Sequence, residues 1–251
     1  MKNNFDIELL GEWNDPVLKV DDFTVCREVV EACDSLIGVA PALGRKPIHI
    51  QQAPDGIPRA CLNGLPNIYL VHLTCLYSRF YAQIAFQLGH ELGHFYINPN
   101  RGNWLIESVC TSLSFLCLSE LGEKWSTTPP FPHWRDYAPN FASYRVKTVA
   151  DATLRVGLPE GASISQWINM SSGEVLRIGK WSRDHEMIVA EVIAGIAARH
   201  PQSLSAITLL GEASCADETT DFEKWRILAG PSCAPFVNDL VCTLFPDKGR
   251  D

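Results

Sequence analysis

His90, Glu91 and His94 stand in the run Gln87-Leu88-Gly89-His90-Glu91-Leu92-Gly93-His94-Phe95-Tyr96. On a helix, H-E-x-x-H puts two imidazoles at i and i+4, one turn apart on one face, where both reach a single metal ion. Glu91 lies one residue round the helix from His90. Its carboxylate can meet a water on the metal without being a ligand, which is where a general base belongs when the metal lowers the pKa of water toward 7. The chemistry implied is zinc-assisted hydrolysis with one Zn²⁺ ion.

A catalytic zinc takes a third protein ligand and keeps one position open. A downstream H-x-x-G-x-x-H continuation is absent, because Ile97 and Asn100 occupy the matching positions. Residues 95 to 106 hold no acid, so the first carboxylate after His94 is Glu107, in Asn103-Trp104-Leu105-Ile106-Glu107-Ser108. Two antiparallel helices joined by a tight turn would return Glu107 over the histidines. Its neighbours Trp104, Leu105, Ile106, Val109 and Cys110 are apolar, an unfavourable setting for a charge without a task.

The run HELGH followed by W-L-I-E-S resembles the gluzincins, the zinc metallopeptidases typified by thermolysin, and most of all their compact, minigluzincin-type members. The resemblance covers about residues 23 to 121. It implies His90, His94 and Glu107 as zinc ligands and Glu91 as base and proton shuttle. Peptide bonds would be hydrolysed by Glu91-assisted attack of zinc-bound water. It also implies that the strand before the active-site helix, here Asn67 to Leu73, is a sheet edge that holds an extended peptide or protein substrate by main-chain pairing. A Tyr or His of the downstream lobe would stabilise the oxyanion. Tyr144 is the first candidate, Tyr137 and His185 are alternatives, and His133 stands behind them. Ser108 and Thr111 occupy places where many relatives carry Gly and an acid, so the groups that orient the histidines are expected elsewhere. The alternative reading is a regulatory or partner-specific zincin-fold protein, a sensor or binding protein with restricted or no general proteolysis.

The elements that would position these groups are legible in outline. Phe23, Val25, Val29, Val30, Cys33, Leu36 and Ile37 repeat with helical spacing, with Asp21 or Asp22 as N-cap and Gly38 as stop. Pro47 to Gln51 and Asn67 to Leu73 read as strands, the second after the turn signal Asn63-Gly64-Leu65-Pro66. A helix from about Cys75 or Ser78 through Tyr96 stops at Asn98-Pro99-Asn100-Arg101-Gly102. The next runs from Asn103 as N-cap to about Leu121, before Gly122. Helices are expected over 141–156, 184–199, 203–210 and 235–244. The fold class predicted is α+β: a zincin-like catalytic lobe, with a small mixed sheet and the active-site and glutamate helices, over 1–123; a Pro- and aromatic-rich connecting loop over 124–140; and a mostly helical C-terminal lobe over 141–251, completing the cleft.

Composition bounds the rest. The chain has 251 residues, 46% hydrophobic and 20% charged, with net charge −8. Wholesale disorder, collagen and coiled coil are excluded. The acidic balance argues against nucleic acid and anionic membranes as partners. No apolar run of about 18 residues stands out, so no membrane span is expected, and Asp6 and Glu8 would interrupt a secretory segment, which makes cytoplasmic localisation the expectation. The nine cysteines are odd in number and show no C-x-x-C, so they are expected to pack as reduced thiols. His49, His72 and His200 are expected to be structural.

Overall fold

The computed structural model describes residues 6–41, 44–62, 65–98, 103–158, 161, 167–168, 182–215 and 219–245. Contacts divide the chain into two units, Met1–Asn98 with Leu113–Arg145, and Pro99–Ser112 with Val146–Asp251. This differs from the division expected at 123 and 140. The proline- and aromatic-rich stretch groups with the first unit because its rings are part of that unit's core.

In the first unit, helix α1 (Pro16–Ile37) starts seven residues before the predicted Phe23. Asp15 is the N-cap, accepting from the Val17 and Leu18 N–H groups at 2.8 and 3.4 Å, and Pro16 takes the first helical position, where its missing N–H costs nothing. Asp21 and Asp22 are therefore interior helix residues, not caps. Gly38 ends the helix at φ 73°, as expected.

The sheet has four strands: β1 (Ile7–Leu9), β2 (Ile48–Gln52), β3 (Arg59–Cys61) and β4 (Tyr69–Leu73), in the order β1-β2-β4-β3. β1, β2 and β4 are parallel, and β3 runs antiparallel to β4, with Cys61 opposite Leu70 and Arg59 opposite His72. β2 and β4 match the two predicted strands. β1 and β3, three residues each, are too short to carry a periodic signal. Their presence overturns one expectation. The Asn67–Leu73 strand is not an edge, because β3 pairs with it on the side away from β2; the edge on that side is β3, and β1 is the other edge.

Ile48, Ile50, Tyr69, Val71 and Leu73 are buried on one sheet face, and Tyr69 stacks on Phe95 at 4.2 Å between ring centres. Phe95 belongs to α2 (Tyr81–Ile97), which Asn98 closes in the left-handed conformation. The breaker residues 99–102 and the Asn63-Gly64 turn signal lie outside the described residues.

Helix α3 (Trp104–Thr127) continues past the predicted stop at Gly122. A Cβ at Gly122 would lie 3.5 Å from the Ala138 carbonyl oxygen, so this glycine permits close packing and does not cap. Three residues later Trp125 is fully buried, stacked on Trp134 at 4.8 Å and edge-on to Phe141 at 4.9 Å. Trp134 sits in a 3₁₀ turn (Pro132–Tyr137) that leads into α4 (Ala138–Val156).

The second unit is mostly helical over its described residues, as expected, with one antiparallel bridge between Ser214 and Thr220. It contains α5 (Arg183–Arg199), a 3₁₀ stretch (Pro201–Leu209), the short α6 (Leu210–Ala213) and α7 (Phe222–Leu244). α7 is broken at Gly230, with φ 65° and ψ 177°. Trp225, Phe236, Leu240 and Val241 fill its core, and the Trp225 indole N–H donates to the Ala206 carbonyl at 2.8 Å.

The expectation about membrane spans needs amending. α3 and α7 are each long and apolar enough to cross a bilayer by length and composition alone. The apolar window of α3 is 72% buried in the fold and that of α7 39%, which makes α3 a core helix and leaves α7 the less covered of the two.

Candidate metal centre

The site is built on two helices. α2 is held to the loop after β4 by Gln87, nearly two turns into the helix, whose side chain accepts from the Thr74 N–H at 2.8 Å and donates to the Thr74 hydroxyl at 2.7 Å. α3 is capped by Asn103, which accepts from the Ile106 N–H at 2.9 Å, as predicted. The helices nearly touch at Gly89. A Cβ there would lie 3.1 Å from Ser114 Cα, and the Ser114 hydroxyl donates to the Phe86 carbonyl at 2.7 Å. Glu107 lies seven residues before Ser114 on the same continuous helix, about two turns.

His90, His94 and Glu107 each offer one ligand atom, and these atoms lie within 4.8 Å of one another. The two histidine Nε2 atoms are 3.2 Å apart. Zinc–nitrogen bonds of about 2.0–2.1 Å in a tetrahedron require nitrogens about 3.3 Å apart, so the imidazoles already have the spacing that one ion imposes. Two imidazole nitrogens and a carboxylate oxygen form a donor set suited to zinc. All three residues are half-buried.

Glu91 is buried at 4% exposure. Its charge reaches β3. Asp55, hydrogen-bonded to Arg59, is the main reason the Arg59 pKa is raised, with Glu91 adding to it. At Cys61, burial pushes the thiol up, Arg59 pulls it down and Glu91 pushes it up. The edge strand and the candidate base therefore share one electrostatic neighbourhood.

The oxyanion candidates separate. The Tyr144 ring lies 5.6 Å from that of Phe86, and Phe86 is one turn before His90 on the histidine face of α2. Tyr137 sits elsewhere: its hydroxyl accepts from the Ala82 N–H at 3.0 Å at the start of α2, and its ring packs against Tyr81 and Phe141. Ala82 precedes His90 by eight residues, about 12 Å along the axis. His133 is exposed and stacked on Phe131. His185 belongs to the second unit, where its Nδ1 is 2.6 Å from the Ser182 hydroxyl and its ring stacks on Trp167 at 5.2 Å; burial lowers its pKa. Ser108 donates to the Trp104 carbonyl at 2.7 Å, a bond within its own helix. His49 faces Glu8 at 3.3 Å, His72 faces Gln51 at 2.8 Å and His200 faces Asp239 at 3.1 Å. The residue that sequence reasoning missed is Gly89, since a glycine inside an apolar helix does not announce its contact.

Two predictions follow from this geometry. His94→Ala and Glu107→Ala should each weaken zinc binding more than about 100-fold, since even groups that merely orient ligands are worth 10–100-fold; competition with a chromophoric chelator measures this, and near-native affinity in either variant would remove that residue from the site. Gly89→Leu should cost about 1–3 kcal/mol in urea unfolding of the metal-free chain, by overpacking against α3 backbone. It should also weaken zinc binding by displacing Glu107, and an unchanged affinity would disconnect the helix contact from the site.

The fold and site together define an α+β chain with a two-histidine, one-glutamate group able to bind a metal ion. Compared with models of known protein families and with curated proteins, the chain matches none.

Proposed function

We propose that this protein is a zinc metallopeptidase. The observation that carries the reading is the convergence of His90, His94 and Glu107 with Glu91 in the same turn of α2 as His90. A zinc ion held by the three would polarise a peptide carbonyl and acidify a water molecule. Glu91 takes the proton from the attacking water and returns it to the leaving amine. The substrate main chain pairs with β3, which carries strand hydrogen bonds on its β4 side only among the described residues. This moves the expected substrate strand from Asn67–Leu73 to Arg59–Cys61. Tyr144, close to the histidine face of α2, is the preferred donor to the oxyanion.

The test is metal analysis combined with cleavage of a mixed peptide library. One zinc per chain is expected, with cleavage lost on adding a chelator and restored by zinc. Stoichiometric zinc without turnover of any peptide would instead assign the site to binding of one partner. Absence of zinc binding would end both readings.

A further inference from the structure

We propose that Cys33 and Cys117 are a disulfide-forming pair, a modification site that staples α1 to α3. Their Sγ atoms are 3.1 Å apart, in hydrogen-bonding contact with either sulfur able to donate, and a bond of about 2.05 Å needs only about 1 Å of further approach. Both side chains are fully buried. They sit on facing helices of the first unit, 84 positions apart in the chain. The loop that the bond would close contains β2, β3, β4 and α2, and with them His90, His94 and Glu107.

The oxidant is a small-molecule disulfide of the glutathione class. One thiolate attacks it, forming a mixed disulfide and releasing one small thiol. The second cysteine thiolate then displaces the other. Two S–H bonds are lost and one S–S bond forms; the two electrons and two protons leave on two molecules of small thiol. Burial pushes the Cys33 thiol far above its ordinary range, so the closed fold does not exchange. The bond forms in the opened or folding chain, and the native fold then holds the sulfurs together. The product should resist reduction, as disulfides in well-packed interiors do.

The test equilibrates the full chain in a series of oxidised and reduced glutathione buffers containing a chelator. After acid quench and denaturation the thiols are alkylated, and intact mass and peptide maps are read. The expected species lacks two alkylations and gives one linked peptide joining Cys33 to Cys117. Its urea midpoint should exceed that of the reduced chain by about 1 M, since closing so long a loop restricts the unfolded state strongly. Cys117→Ala should abolish this species and Cys26→Ala should not. Alkylation of every thiol across the series, or links to other cysteines, overturns the proposal. If Cys117→Ala does not fold, the peptide map of the wild-type chain decides alone.

Discussion

Glu91→Gln should keep one zinc per chain and lose peptide hydrolysis by about 10²–10⁴-fold, the range that a positioned general base supplies. The substitution keeps the shape of a residue only 4% exposed, and the amide oxygen still accepts hydrogen bonds. What disappears is the capacity to take a proton. Zinc content should hold because His90, His94 and Glu107 are unchanged. The two readouts make the test sharp. Lost zinc would mean that Glu91 holds the site together, and a retained rate would mean that the proton goes elsewhere. Loss of turnover with zinc intact is the signature of a base.

The second large effect concerns stability. Asp22 is fully buried in α1; one carboxylate oxygen accepts from the Tyr77 N–H at 2.9 Å, and the other is buried without a partner. Burial pushes its pKa up to about 7, against the lowering effect of the Tyr77 bond and with a further push from Asp21. In the unfolded chain the same group titrates near 4. Between about pH 4 and 7 the folded chain therefore holds a proton that the unfolded chain has released, and stability falls as pH rises through this window. The difference of about 3 units corresponds to at most about 4 kcal/mol. Asp22→Asn should remove this slope, so that urea unfolding shows the variant gaining on the wild type from pH 4 to pH 8. A wild-type-to-variant difference that stays constant across that range would show that the carboxyl titrates normally. The effect matters for the site because Tyr77 lies in the connection from β4 to α2, with φ at 65°, a conformation costly for a non-glycine residue.

Short elements were the hardest to read. α2 and α3 were legible because long apolar helices bounded by Asn98 and Asn103 carry redundant signals. β3 was not, because Arg59-Ala60-Cys61 is a strand only by virtue of its pairing with β4. That one omission misassigned the sheet edge. The boundary of α1 slipped for a similar reason: Asp15-Pro16 is a good start signal, but Val17, Leu18 and Val20 lie on a face that stays largely exposed, so the apolar repeat begins later than the helix. The stop at Gly122 failed because a glycine reads alike whether it ends a helix or admits a neighbour.

The sequence by itself singled out the residues proposed to carry the chemistry. H-E-x-x-H and the first acid beyond it are statements about residue type and spacing on helices, and helical periodicity is local. Only the tertiary structure decided that Glu107 offers its ligand atom within 4.8 Å of those of the histidines, because the approach of two helices is not a local property of the chain. Only it showed that β3 covers β4 on the side away from β2, that the Tyr144 ring packs near Phe86 whereas the Tyr137 hydroxyl reaches the Ala82 N–H, and that the Cys33 and Cys117 sulfurs lie 3.1 Å apart. Each is a contact between residues far apart in the chain, set by packing and pairing that no local pattern encodes.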